Sequence, residues 1–229
     1  MLAAPRSRGH PVFEAIASAL DLLCPRVCFR CQRTPEESAA LCRRCLAGQP
    51  APEPPAIPNL DACAAGAGYT GEVEAWVRAF KYPPATLLPD PAPEAMLGAL
   101  LDRAARSLPE PALVVPVPLH PRRLRSRGFN PAGLLARQMA KRMEVPFDPV
   151  ALVRLRDTPS QTGLDARARR RNVARAFRWV RAGTTPERVW LVDDVVTTGA
   201  TLGAAARALH AAGVREVFGV CAAATERRG

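Results

Sequence analysis

The stretch VWLVDDVVTTGAT, residues 189–201, decides how the chain is to be read. Its opening apolar residues predict a strand over 188–193 that is buried on both faces, and GATLGAAARALHAAG beyond it predicts a helix over 199–212. Between strand and helix stand two adjacent carboxylates, Asp193 and Asp194, and a loop of threonines around one glycine. In an open parallel sheet, ligands bind beyond the carboxyl ends of the strands, where such loops lie. Thr197, Thr198, Gly199, Ala200 and Thr201 offer successive backbone N–H groups and three hydroxyls, and the missing side chain of Gly199 lets the backbone close around a phosphate. The positive end of the following helix adds to the attraction. Like charges repel, so the carboxylates do not serve that phosphate directly; they suit vicinal sugar hydroxyls, or Mg²⁺ held through water. A phosphate beside vicinal hydroxyls describes a phosphorylated ribose. The plain alternative is a strand, turn and helix with a solvated acidic pair.

Outward from this stretch, strand and helix signals alternate. Strands are expected near 60–69, 112–119, 150–155, 176–180 and 216–222, and helices near 71–81, 94–107 and 130–143, with a basic helical stretch near 165–175. This pattern predicts an α/β fold, a mostly parallel sheet flanked by helices. QPAPEPPAIPN, 49–59, holds five prolines and excludes helix or central strand. It divides the chain into an N-terminal module (1–48), a Pro-rich linker (49–59) and the α/β domain (60–229). Within the first of these, 11–23 has the period of a short amphipathic helix.

Cys28-x2-Cys31 and Cys42-x2-Cys45, ten residues apart, can place four thiolates around one ion, and four soft ligands in a tetrahedron suit structural Zn²⁺. So short a span has little apolar material of its own, and metal binding would supply its folding energy. A redox pair, a lost metal site and an iron–sulfur cluster are the competing readings, and Cys24 is a rival ligand. Cys63 and Cys221 sit in small-residue strands and read as buried, inert thiols.

The formal net charge is +11, and residues 120–181 alone hold 16 Arg and Lys against four Asp and Glu, so the remainder is close to neutral. Such clustering suggests a polyanionic partner, nucleic acid or a phosphorylated ligand. Aromatic content is 5%, which leaves few candidates for base stacking. RRLRSRGFN, 122–130, reads as a basic loop after the strand VPVPLH, with a tight or cis-prolyl turn that presents N–H groups to pyrophosphate and Arg122, Arg123, Arg125 and Arg127 supplying charge. Asn130 and Pro131 fit the cap and first turn of the next helix. No run of about 18 apolar residues occurs, and the N-terminal residues read as a cytoplasmic start rather than a leader.

The segment 189–201 resembles the 5-phosphoribosyl-1-pyrophosphate (PRPP) motif of type I phosphoribosyltransferases. That resemblance implies that Asp193 and Asp194 bind the ribose 2- and 3-hydroxyls and that Thr197 to Thr201 hold the 5-phosphate, with Mg²⁺ accompanying PRPP. Members acting on 6-oxopurines carry Asp where this chain has Thr197, which argues against purine salvage. The four-cysteine knuckle, YTGEVEAWVRAFKY at 69–82, VPVPLHPRRLRSRGFNPAGLLA at 115–136, and Gln161, Leu164, Arg169, Asn172 and Phe177 together resemble the ComF family of competence proteins, over nearly the whole chain. The family implies a cytoplasmic role in DNA uptake and natural transformation, with incoming single-stranded DNA and DNA-uptake proteins as partners, and a role for Lys81 and Arg169 at pyrophosphate or nucleic acid. Cys24 and Pro83-Pro84 depart from its pattern. The alternative is an active transferase that moves phosphoribosyl from Mg-PRPP to an acceptor, for which the sequence names no general base.

Overall fold

The computed structural model describes residues 27–34, 40–54, 56–83, 90–156 and 176–225. Among these the elements run α1 (Arg43–Ala47), β1 (Ala62–Gly68), α2 (Gly71–Lys81), α3 (Ala92–Ala105), β2 (Leu113–Pro116), α4 (Pro121–Arg127), α5 (Pro131–Met143), β3 (Leu152–Arg154), β4 (Phe177–Trp179), β5 (Arg188–Val196), α6 (Ala200–Ala211) and β6 (Glu216–Ala224).

Parallel strands joined by helices are covered on both faces, which is why they read as unbroken apolar runs. Four of them form a parallel sheet in the order β1-β6-β5-β2, with β3 and β4 as a separate antiparallel pair. This is the expected α/β class. One face packs under α2, α3 and α5, where Leu97, Leu100, Leu135 and Met139 meet Trp190 and Val192. The other packs under α6 and the β3–β4 pair, where Leu202, Ala205 and Leu209 meet Val189, Leu191 and Val217. β1 is built of small residues because α3 lies against it backbone to backbone: a Cβ on Gly66 would stand 2.0 Å from the Leu100 carbonyl oxygen. The outer edge of β2 is closed by the chain at 146–148, since Val114 N–H donates to Pro146 O at 2.9 Å and Asp148 N–H to Val114 O at 3.1 Å.

Three elements differ from expectation. β5 does not end at the acidic pair but runs through it to Val196, because Val195 and Val196 are β-branched and pair with Ala223 and Ala224 of β6. The segment read as a basic loop is the helix α4, begun by Pro121 at its first turn and ended by Gly128 in the left-handed region at φ 84°. Every peptide bond among the described residues is trans, so the turn after β2 uses no cis proline. The stretches expected as helices at 11–23 and 165–175 lie outside the described residues, and α1 was not anticipated.

The cysteine module shares a core with the sheet domain: Cys28, Leu41 and Cys45 are buried in the same cluster as α2 and α3. Arg103 of α3 fastens it, donating from Nη1 to the carbonyls of Leu46 at 2.9 Å, Gln49 at 2.6 Å and Gly66 at 3.2 Å. Among the described residues no helix is long and apolar enough to cross a membrane.

Candidate functional site

The chain leaves β2 toward α4 and α5 on one face of the sheet and leaves β5 toward α6 on the other, so a crevice opens between the two strand ends. It encloses about 790 Å³ and is lined by Lys81, Tyr82, Arg123, Arg127, Asn130, Arg154, Asp193, Asp194 and Thr201, with Val117, Pro118 and Leu119 as its apolar wall.

Successive strand residues face opposite sides of a sheet, so the two carboxylates straddle β5. Asp194 is buried, and Lys81, the last residue of α2, places Nζ 2.8 Å from its Oδ1. Asp193 accepts a hydrogen bond from the Asp194 N–H at 2.9 Å. Burial first, and then the neighbouring Asp194 carboxylate, push the Asp193 carboxyl up to about 7, against the opposing pull of Lys81, the Asp194 N–H and Arg154. The crevice therefore holds one carboxylate compensated by an ammonium and one carboxyl poised near neutrality.

On the opposite wall α4 presents Arg123 and Arg127. Arg127 donates from Nη2 to the Tyr82 hydroxyl at 3.1 Å and stacks 5.0 Å from the centre of its ring. Arg122 and Arg125, on the same helix, do not line the crevice. Arg169 lies outside the described residues. Three residues that line the crevice were not singled out for it from the sequence: Tyr82, Arg154 and Asn130. Arg154 comes from β3 and covers the Phe177 ring at 5.5 Å. Asn130 has the backbone position of a helix cap, but its side chain makes no capping bond. It donates from Nδ2 to Val117 O at 3.1 Å, and its buried Oδ1 is left with no hydrogen-bond partner. A ligand donor reaching this wall would satisfy it.

The loop into α6 sits at the rim. Thr201 lines the crevice, whereas Thr197 and Thr198 are exposed and Thr198 Oγ1 accepts from the Ala200 N–H at 3.4 Å. Gly199 is buried with φ 71°, and a Cβ there would stand 2.4 Å from Ile57 Cγ1. The space its missing side chain leaves is thus filled by the linker, and glycine is needed for the left-handed backbone as well. One turn on, Gly203 meets Pro58 in the same way, its Cβ position 2.7 Å from Pro58 O, and Asn59 Nδ2 donates to Gly203 O at 3.2 Å. The floor of the loop is the end of the proline-rich segment.

The four cysteines of the knuckle converge. The sulfurs of Cys28, Cys31, Cys42 and Cys45 all lie within 4.8 Å of one another. Cys31 and Cys42 Sγ are 3.8 Å apart, which is the edge, about 3.8 Å, of a tetrahedron with metal–sulfur bonds of about 2.3 Å. Burial acts to raise the Cys28 thiol, but the backbone N–H groups of Cys42, Cys31 and Arg30 outweigh it and bring it down to about 6. Burial and the neighbouring thiols push Cys45 up to about 12. A cluster that stabilises its first thiolate with N–H donors and resists forming further anions without a cation fits Zn²⁺. Cys24 lies outside the described residues. Cys221 is buried in β6, and its hydrogen bond with Cys63 and its burial push it well above the ordinary thiol range.

Residues 124–229 match the family model of the phosphoribosyl transferase domain. The chain is 39% identical over 109 residues to competence protein F of Haemophilus influenzae, covering 47% of this chain and 48% of that one. It is 36% identical over 128 residues to the DNA utilization protein YhgH of Escherichia coli K12, covering 55% and 56%. The match to the DNA utilization protein YhgH of Salmonella typhimurium is longer, 30% identical over 206 residues, covering 85% of this chain and 89% of the relative. The chain spans about half the length of the first two of these proteins and most of the third.

Proposed function

Because this chain belongs to the ComF family, with its phosphoribosyl transferase domain and its relatives named for competence and for DNA utilization, we propose that it binds PRPP or another ribose phosphate and handles single-stranded DNA during uptake. The observation that carries the first part is the pairing of Lys81 with Asp194 beside Asp193 in the crevice at the end of β5. The acidic pair would accept hydrogen bonds from the ribose 2- and 3-hydroxyls. Residues Thr197 to Thr201 would take the 5-phosphate on backbone N–H groups and hydroxyls, at the positive end of α6. Lys81 neutralises Asp194, so an arriving phosphate ester does not meet two uncompensated carboxylates, and Arg123 and Arg127 provide charge for a pyrophosphate on the facing wall. Mg²⁺ would enter with the pyrophosphate, held by the carboxylates through water. Four cysteines would hold Zn²⁺ as a structural ion. The DNA part rests on the relatives' names and on the clustered basic charge.

The test is a calorimetric titration of Mg-PRPP into the zinc-loaded protein and into Asp193→Asn, Asp194→Asn. Saturable heat in the first that is abolished in the second is expected. Equal heats in both would refute the assignment.

One observation favours catalysis as a second reading: Lys81, Arg123 and Arg127 line the same crevice as the acidic pair, so cations stand on both sides of the space a pyrophosphate would occupy. If PRPP were turned over, pyrophosphate would leave from C1 through an oxocarbenium-like state, and Lys81, Arg123 and Arg127 would stabilise the departing charge. Steady pyrophosphate release with an acceptor separates this reading from simple binding.

A further inference from the structure

No Asp or Glu occurs from 111 to 143, a stretch described throughout that carries seven Arg and Lys. Four of the seven crowd onto α4, whose sequence PRRLRSR buries no residue. Arg122 and Arg125 stand on one stripe of this helix and Arg123 and Arg127 on another, so like charges meet at both of the spacings that bring helical side chains together. With no buried stripe to offset the repulsion, α4 is held at its ends: the Arg122 N–H donates to His120 Nδ1 at 3.3 Å, and Gly128 closes the last turn in the left-handed region. A polyanion laid along α4 would relieve the repulsion.

The two stripes have different surroundings. Arg123 and Arg127 line the crevice, whereas Arg122 and Arg125 are exposed, lie outside it and pair with no carboxylate among the described residues. Arg123 has a partner of its own, but Arg127 is engaged by the neutral Tyr82, so Arg122, Arg125 and Arg127 keep this face positive without it. Two segments outside the described residues continue from residues near the crevice, and neither reverses that sign: 84–89 carries no charge, and 157–175 carries five arginines against Asp157 and Asp165. Tyr82 is 67% exposed with Arg127 over one face of its ring, which leaves the other face open at the crevice mouth.

Guanidiniums engage phosphate oxygens through paired N–H donors, and an open aromatic ring beside them stacks an unpaired base. A small phosphate ester seated in the crevice meets Arg123 and Arg127 but not the outer stripe. A chain of phosphates passing over α4 meets both.

We propose that the outer face of α4, Arg122 with Arg125, docks the sugar–phosphate backbone of single-stranded nucleic acid, with a base stacked on Tyr82. The proposal rests on the DNA-handling part of the function argued above and locates it at the rim of the ribose crevice. A strand and a ribose phosphate would then be held at one opening by different residues.

Fluorescence anisotropy with a labelled oligothymidylate tests it, using the full zinc-loaded chain over a series of salt concentrations. Arg122→Glu, Arg125→Glu should weaken binding by about tenfold or more, and losing two phosphate contacts should flatten the salt slope by about 1.4. Arg122→Gln, Arg125→Gln, a milder pair, should shift both quantities in the same direction, with zinc content and thermal midpoint confirming that each variant is folded. Tyr82→Ala should weaken binding by about fivefold or more while leaving the salt slope unchanged, since it removes stacking and no charge. The Gln pair should keep the calorimetric heat of Mg-PRPP. If the folded arginine variants bind the strand with wild-type affinity and slope, if Tyr82→Ala binds as wild type does, or if the Gln pair loses Mg-PRPP together with the strand, the α4 proposal falls while DNA binding by the chain stands. If the wild-type chain does not bind the oligonucleotide at all, the α4 proposal and the DNA reading fall together.

Discussion

Asp193 keeps its proton to about pH 7 in the folded protein, whereas in the unfolded chain it releases it near the ordinary 3.8. Between those values the folded state binds more protons than the unfolded one, so stability falls as pH rises through this window, and the deficit persists above pH 7. Asp193→Asn abolishes the titration. The thermal midpoint of the variant relative to wild type should therefore climb from pH 5 to pH 8, and a difference that stays constant across that range would mean the carboxyl is not strained by burial and by Asp194. At this scale the sequence was readable where chemistry is contiguous. Asp193, Asp194 and the threonine loop stand together in the chain, and their pattern alone suggested a ribose phosphate. Arg154, Tyr82 and Asn130 were not readable as crevice residues, because each arrives from a different element and only the fold brings them to one wall. For Asn130 the local signal even pointed elsewhere, to a cap its side chain does not make.

Elements were legible wherever period and termini agreed. α2 was expected over 71–81 and is found as Gly71–Lys81, since apolar Val73, Val77 and Phe80 mark one buried stripe and Thr70 precedes it. α4 was missed although Pro121 and Gly128 bracket it, because it buries no residue and a helix without an apolar stripe leaves no periodic trace. The length of β5 was underestimated because adjacent charges normally end a buried strand; here the pairing with β6 carries the backbone past them. The contact between β1 and α3 belongs to the same scale and yields a prediction. Gly66→Ala forces Cβ into the Leu100 backbone at 2.0 Å, which no rotamer relieves, and should cost about 3 kcal/mol as α3 lifts from the sheet. Gly98→Ala, on α3 itself, meets only the far ends of two flexible side chains, Arg142 Nη2 at 3.6 Å and Gln138 Oε1 at 3.9 Å, and should instead gain about 0.5–1 kcal/mol of helix propensity. Denaturant midpoints of the two variants give the comparison, and equal effects would contradict the backbone-to-backbone packing.

For the molecule as a whole, the cysteine cluster is not a detachable appendage in energetic terms. Cys28, Leu41 and Cys45 share the core of α2 and α3, and Arg103 of α3 binds the Leu46 and Gln49 carbonyls across the junction. Removing the metal should accordingly lower the thermal midpoint of the entire protein, by about 5–10 °C, rather than release a local transition. Unfolding followed by circular dichroism with and without a chelator measures this, and Cys42→Ser should be insensitive to the chelator. A midpoint that does not move would mean that the cluster holds no ion that matters to the fold. Nothing in the spacing of the cysteines announced this shared core, because the partners that complete it lie on α2 and α3, well beyond the knuckle.

Ile57 and Pro58, wedged beneath Gly199 and Gly203, bear on the heredity of the gene as much as on the loop. Two stretches of the reading frame separated by 144 codons, from Asn59 to Gly203, are obliged to vary together. An exchange between related genes that crosses over just after the proline-rich segment would bring in a foreign residue at 57 and give the loop a floor shaped for a different partner. The hybrids that survive such shuffling should be those whose crossover falls upstream of codon 57 or downstream of codon 203, so that wedge and loop are inherited as one.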